Sequence, residues 1–382
     1  MASACASTAD AAWSPSSNRR PALESTEVIG WFADIGLQDR PTVGGKGGSL
    51  GELTRAGIAV PPGFVLKTSA FVRFIDALEA SGPMRALVEA LDPGDLKAVT
   101  ACSNALRARI EAAALPADLQ AEIVAAHAEL CGGDPSSPVA IRSSATTEDA
   151  EDASFAGLQD TFLWVKGPDQ ALGFIRTCWA SLYSVESMIY RRKHAFPEAG
   201  VHMAVVVQRM VDARTAGVMF TRSPLTGDRS VIAIEGAWGL GSAVVGGEVT
   251  PDRWVVGKIT GEITVRDLQD KHIRHVPSAA GGVHDEEVPA ELRKVACLSD
   301  PELLRLREIG RKVERHYGRP QDIEWAVDAS GEVLLLQSRP ETVWSTKEAV
   351  PVAAPKANPL EHVMSVFGGS SAMKSGPGRI EG

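Results

Sequence analysis

Polar and apolar positions alternate along Asp-Ile-Glu-Trp-Ala-Val-Asp, which starts at Asp322, and a second strand-like run, Glu-Val-Leu-Leu-Leu-Gln-Ser-Arg, ends at Arg339. Between them Ala329-Ser330-Gly331-Glu332 is rich in turn formers, so the segment predicts a β-hairpin. A two- or four-residue loop centred there gives one register, with Glu324 across from Gln337 and Asp322 across from Arg339. Side chains alternate faces along a strand, which puts Asp322 and Glu324 on one face and Gln337 and Arg339 on the matching one. Such a face suits a metal-bound polyphosphate: carboxylate and amide oxygens are ligands for Mg²⁺, and a guanidinium neutralises charge on a transferring phosphoryl group. The same pattern also fits a surface hairpin tied by an Asp322–Arg339 cross-strand ion pair.

Elsewhere the patterning predicts mixed helix and strand. Thr68-Ser69 is placed to cap a helix carrying Phe71, Val72, Ile75 and Leu78, and Gly132 to Pro138 is a linker before a short apolar strand at 139–142. Val218-Met219-Phe220 and Val231-Ile232-Ala233-Ile234 predict buried strands, and Gly236 to Gly241 a glycine-rich turn. Ser299, Pro301 and Glu302 form a capping-box start for a helix before the hairpin. The expected class is α+β with two lobes, at 25–207 and 208–344. Flanking them are a disordered tail at 1–24 and a linker and tail at 345–382, with a short amphipathic segment around Leu360 to Phe367.

Composition narrows the function classes. The chain has 382 residues, 44% hydrophobic and 23% charged, enough to bury a sizeable core. A net charge of −9 argues against a general nucleic-acid binder. Cys5, Cys102, Cys131, Cys178 and Cys297 are scattered without CxxC spacing, as expected of reduced thiols in a cytoplasmic protein. No apolar run is long enough to span a bilayer, so no membrane partner is expected.

Two further segments carry phosphate chemistry. Residues 139–163 run from the apolar strand through Arg142 into a Ser/Thr-rich turn, an acidic loop and Phe155-Ala156-Gly157. Small residues and backbone amides there can approach phosphate oxygens, and Arg142 can hold them bidentately. Nearer the N-terminus, Lys46 stands among Gly44, Gly45, Gly47 and Gly48 just before a helical pattern, where orphan N–H groups favour an anion. The order of residues there is not that of a Walker A motif.

Taken together, GGKGGSLGEL with VPPGF (Val60 to Phe64), AIRSSATTED with DASFAGLQDTFL, VVVQRMV ending at Val211, and DIEW with QSRPETV resemble the nucleotide-binding domain of phosphoenolpyruvate synthase and pyruvate phosphate dikinase. The resemblance covers roughly residues 25 to 345, in the same order. Gly47-Gly48 depart from the usual Asn-Ala, and Ala150-Glu151 from the usual Leu-Pro. The resemblance implies an ATP-grasp fold holding ATP between two lobes. It puts Lys46 and Arg142 on the phosphates, and Gln208, Met210 and Val211 at a hinge beside adenine. Glu324 and Gln337 would hold Mg²⁺, with Mn²⁺ as a substitute. Arg339 would stabilise the transferring group with support from Asp322, and Gly157 and Thr161 are phosphate-loop candidates.

Whole synthases and dikinases continue into a swivelling domain with a phosphorylated His and into an acceptor-binding barrel. None of His127, His194, His202, His272, His275, His284, His316 and His362 has the carrier context, and His272 and His275 are expected to be solvated. The implied arrangement is an ATP-binding subunit working with a companion subunit that carries the His and the acceptor site. In size and arrangement it is similar to the ATP-binding subunit of phenylphosphate synthase, which implies phenol as acceptor and AMP and phosphate as products. The alternatives are the N-terminal half of a split phosphoenolpyruvate synthase, a rifampin-phosphotransferase-like enzyme, and a non-catalytic ATP-binding regulatory subunit.

Overall fold

The computed structural model describes residues 27–146, 160–342 and 344. Two antiparallel sheets packed with helices make up the α+β architecture. The strands are β1 (Ile29–Trp31), β2 (Gly63–Leu66), β3 (Val139–Ala145), β4 (Thr161–Val165), β5 (Met203–Arg209), β6 (Ala213–Phe220), β7 (Val231–Trp238), β8 (Asp252–Gly257), β9 (Ile263–Asp267), β10 (Ile273–Pro277), β11 (Val283–Glu287), β12 (Gln321–Asp328) and β13 (Val333–Pro340). The helices are α1 (Arg40–Arg55), α2 (Thr68–Glu79), α3 (Arg85–Glu89), α4 (Leu96–Ala112), α5 (Ala117–Leu130), α6 (Gly167–Ser181), α7 (Val185–Lys193), α8 (Ser242–Val245) and α9 (Asp300–Tyr317). The first sheet has the order β1-β2-β5-β3-β4 and the second β13-β12-β6-β7-β8-β9, with β10-β11 a separate ribbon.

Alternation along the strands divides each sheet into an apolar and a chemical face. In the first sheet Val139, Ile141, Met203, Val205 and Val207 join the main core with Phe71, Phe74 and Trp179 of the helical layer. The opposite face carries Val206, which packs with Val43 and Leu50 of α1. In the second sheet Ile323, Trp325 and Val327 lie in a core with Leu303, Leu306 and Val313 of α9. Leu53 and Ile58, at and beyond the end of α1, enter that second core, so one helix is shared between the two sheets. β5 carries the first sheet through Arg209.

Helix α9 starts as expected: Ser299 and Glu302 form the capping box, with Pro at the first turn and Gly318 in the left-handed conformation at the end. The helix at 68–79 forms too, but its N-cap is Lys67. Thr68 and Ser69 are already helical, and their hydroxyls are buried without a hydrogen-bond partner among the described residues. Of the glycine-rich turn expected at Gly236 to Gly241, Gly236 to Trp238 instead end strand β7, and the chain turns at Gly239, whose φ is +77°. Both expected tails, 1–24 and 345–382, and the amphipathic segment at 360–367 within the second lie outside the described residues.

Candidate active site

The hairpin forms with the expected partners at its chemical end. Glu324 is opposite Gln337 and Asp322 opposite Arg339, and a four-residue loop at 329–332 joins the strands. Nearer the loop the register shifts by one, with Trp325 opposite Leu335 and Val327 opposite Val333, which leaves Leu336 as a bulge. The bulge resolves a conflict in the Leu-Leu-Leu run. Val333 and Leu335 go into the core while Gln337 stays level with Glu324 on the other face. Leu334 and Leu336 pack beside Val211, Ala216 and Ala326.

Arg142 crosses from the first sheet to this hairpin. Its Nη2 donates to Glu324 Oε2 at 2.9 Å and to Gln337 Oε1 at 2.6 Å, and its Nη1 donates to the carbonyl of the bulged Leu336 at 2.9 Å. Arg142 is 7% exposed, and its Nε is buried without a hydrogen-bond partner among the described residues. A carboxylate and an amide oxygen that accept from the same nitrogen converge on one cation position. That donor pair is of the kind Mg²⁺ takes, so the residues present fit a metal–nucleotide complex.

Beside this cluster Arg339 pairs with Asp322, Nε and Nη2 each 2.8 Å from Oδ2. The ion pair of the plainer surface-hairpin reading therefore coexists with the converging site. Arg339 is 59% exposed in its side chain, so its guanidinium stands at the open edge. Burial raises the Asp322 carboxyl above the ordinary aspartate range. Arg339 opposes that shift, and Glu324 and Glu341 add to it.

Lys46 lies in α1, and the expected loop ahead of a helix is absent: the chain is helical from Arg40, broken only at Gly44 with φ 71° and ψ 176°. Ser144 of β3 fills the break. Its hydroxyl donates to the Val43 carbonyl at 3.0 Å and accepts from Gly47 N at 3.2 Å. A Cβ on Gly44 would stand 2.2 Å from the Ser144 carbonyl oxygen, so this position needs glycine for space as well as for φ. Further along the same helix Ser49 Oγ donates to the Ser338 carbonyl at 2.6 Å, so α1 ties Arg142's strand to β13. Lys46 is buried on this helix.

Of the remaining candidates, Thr161 opens β4 directly opposite Arg142. Gln208 is buried in β5 opposite Ala140, its Nε2 donating to the Pro61 carbonyl at 3.3 Å. Met210 N donates to the Pro138 carbonyl at 3.0 Å, and Val211 then packs on the Glu324 face of the second sheet, so this connector borders the cluster. Gly157 lies outside the described residues.

One acidic group of this face escapes sequence reasoning. Glu235 of β7 is opposite Val218, and Val218 is opposite Glu324, so the carboxylates share a face two strands apart. Burial raises the Glu235 carboxyl, Arg253 opposes the shift, and Asp322 adds to it. The only sequence signal is an acid inside the apolar run Val231 to Trp238.

The model of the pyruvate phosphate dikinase AMP/ATP-binding domain matches residues 40–358. A probable phosphoenolpyruvate synthase of Methanothermobacter thermautotrophicus is 43% identical over 324 residues, covering 84% of this chain and 47% of that protein. The one of Methanocaldococcus jannaschii is 40% identical, over 84% of this chain and 27% of its own length. The phosphoenolpyruvate synthase of Pyrococcus furiosus is 36% identical, over 92% and 48%. The chain thus spans about half or less of the length of these relatives. The crystal structure of D-cycloserine synthetase DcsG aligns with 76% of the chain at 13% identity and a TM-score of 0.23, too slight a likeness to bear on the fold. Among the described residues no helix is long and apolar enough to cross a membrane. The family match over most of the chain and the cluster it contains lead to one assignment: the chain belongs to the pyruvate phosphate dikinase AMP/ATP-binding domain family.

Proposed function

We propose that this chain is the ATP-binding domain of a phosphoenolpyruvate synthase, an ATP-grasp module that passes the β-phosphoryl group of ATP to a histidine outside residues 1–382 for delivery to pyruvate. The observation that carries the reading is the convergence of Glu324, Gln337 and Arg142 from two different sheets, in a chain whose relatives bear that enzyme's name. ATP, water and the histidine give phosphohistidine, AMP and phosphate.

In this reading Arg142 holds the cation position until nucleotide binds, then turns its fork to the phosphates. Mg²⁺ on Glu324 and Gln337 supplies charge neutralisation of the polyphosphate. Arg339, at the open edge and oriented by Asp322, meets the transferring group where an incoming imidazole has access. Lys46 adds a further cation, from α1, and the Met210–Val211 connector borders the adenine. Phenol as the acceptor rests only on the chain's size and arrangement, and the relatives' names favour pyruvate. A purely regulatory ATP site has little need of Arg339, which serves the transferring group.

The test supplies β-³²P-labelled ATP, pyruvate and the histidine-bearing region of the enzyme. The label is expected on phosphohistidine and then on phosphoenolpyruvate, with AMP as the nucleotide product. ADP accumulating one for one with product would replace the proposal with an ordinary γ-phosphoryl kinase, and label passing to phenol but not pyruvate would restore the phenol reading.

A further inference from the structure

His275, expected from its polar surroundings to be solvated, is 7% exposed. The cause is non-local. β10 pairs with β11, placing His275 opposite Asp285, and a bridge from His275 to Leu240 brings the ribbon against the turn before α8. His275 Nδ1 is 2.7 Å from Ser242 Oγ, while Nε2 is 3.1 Å from Glu248 Oε2 and 3.2 Å from Asp285 Oδ1. The ligand atoms of these three side chains all lie within 4.8 Å of one another.

Three features distinguish this group from a chance meeting of surface acids. Two carboxylates share one imidazole, and no Lys or Arg among the described residues pairs with either of them; the nearby Arg274 pairs with Glu286 on the other face of the ribbon. The imidazole is oriented from behind. Ser242 Oγ holds the ring through Nδ1, and in the tautomer whose Nδ1–H donates to Ser242 the Nε2 lone pair would be available to an ion seated between it and the carboxylates, as in a metal-bound histidine held by its outer partner. Finally, the distances suit a small divalent ion. With bonds of about 2.1 Å, neighbouring ligands stand about 3.0 Å apart in an octahedron and about 3.4 Å apart in a tetrahedron, and the two separations from Nε2, 3.1 Å to Glu248 and 3.2 Å to Asp285, fall between those values. Glu248 and Asp285 are 48% and 60% exposed in their side chains, which leaves an entry path from solvent.

We propose that His275, Glu248 and Asp285 form a structural site for a divalent transition-metal ion of the Zn²⁺ class, with water completing the shell and Ser242 orienting the imidazole. The ion would pin the β10–β11 ribbon to the glycine turn that starts α8. That turn lies on the Glu324 face of the second sheet, where a Cβ on Gly241 would be 3.5 Å from Ala216 Cβ. The site is separate from the Glu324–Gln337 pair and does not depend on the proposed activity.

The test is calorimetric titration of the chelator-stripped full chain with Zn²⁺, followed by thermal melts with and without the metal. One equivalent is expected to bind and to raise the melting temperature. His275→Ala and Asp285→Asn should each weaken binding more than tenfold, and Ser242→Ala by roughly tenfold. Glu286→Gln and Glu324→Gln should leave it unchanged. Asp285 is exposed enough that its Asn variant should fold normally. Absence of Zn²⁺ binding by the wild type, or equal binding by folded Asp285→Asn and His275→Ala, would overturn the site and leave a doubly hydrogen-bonded histidine.

Discussion

Arg142→Ala is the substitution that probes the junction of the two sheets most sharply. It removes three hydrogen bonds at once, to Glu324, Gln337 and the Leu336 carbonyl. Glu324 is 29% exposed in its side chain, so water recovers part of that loss and the ion pair is discounted to about 1 kcal/mol. The Gln337 oxygen faces a buried site, and an acceptor left there without a donor costs about 1–3 kcal/mol, whereas the Leu336 carbonyl is partly buried and water recovers most of its loss. The total is about 2–4 kcal/mol, overlapping the range for breaking a buried pair from one side. With an unfolding entropy of about 2.1 cal/mol/K per residue, a chain of 382 residues loses about 1.2 °C per kcal/mol, so the melting temperature falls by about 2–5 °C. Arg142→Lys keeps the charge but not the fork, so it should recover less than half of the loss. Thermal melts at neutral pH measure the effect, and a double-mutant cycle with Gln337→Leu should give a coupling of about 1 kcal/mol or more. An Arg142→Ala protein melting within about 1 °C of wild type, with no coupling, would refute the clamp.

Gly44→Ala forces a Cβ to within 2.2 Å of the Ser144 carbonyl at a positive φ, so it should cost at least about 2 kcal/mol and weaken Mg·ATP binding; an unchanged melt would show that the break in α1 is dispensable. Arg339→Ala, at an exposed edge, should leave the melting temperature nearly unchanged yet lower phosphoryl transfer by about 10³-fold; near-normal turnover would remove Arg339 from the mechanism. For Glu235, a folded-state pKa raised by burial means that the folded protein binds the proton more tightly, so stability falls as pH rises from the ordinary glutamate value through the raised one. Glu235→Gln should therefore melt higher than wild type at pH about 7.5 and match it below about pH 4; a lower melting temperature at neutral pH would contradict this.

Local pattern carried the hairpin a long way. Alternation in Asp322 to Asp328 and the turn at 329–332 give the pairs that matter, because both the polar face and the loop are written in adjacent residues. The bulge at Leu336 was not legible: three consecutive leucines have no alternation, and the Arg142 donor that takes the bulged carbonyl comes from far along the chain. The helix through Gly44 to Gly48 was hidden for the opposite reason. Glycine reads as a loop former, yet here glycines are required by close approach: a Cβ on Gly47 would be 2.9 Å from Val65 Cγ2, and one on Gly51 2.5 Å from the Ile35 carbonyl oxygen. Thr68 and Ser69 are good cap residues one step too late, since Lys67 already holds the cap backbone geometry. His275 and Glu235 were misread or missed because their burial depends on strand pairing between distant segments.

The central claim is that Glu324 and Gln337 hold the metal of a nucleotide that lies between the two sheets. Titration calorimetry of Mg·ATP into the wild-type chain and into Glu324→Gln tests it most directly, each with melts to confirm the fold. The account predicts one Mg·ATP bound per wild-type chain and at least tenfold weaker binding by the variant, with the loss disappearing when ATP is titrated without divalent metal. Equal Mg·ATP binding by the two folded proteins, or no binding by the wild type, would contradict it.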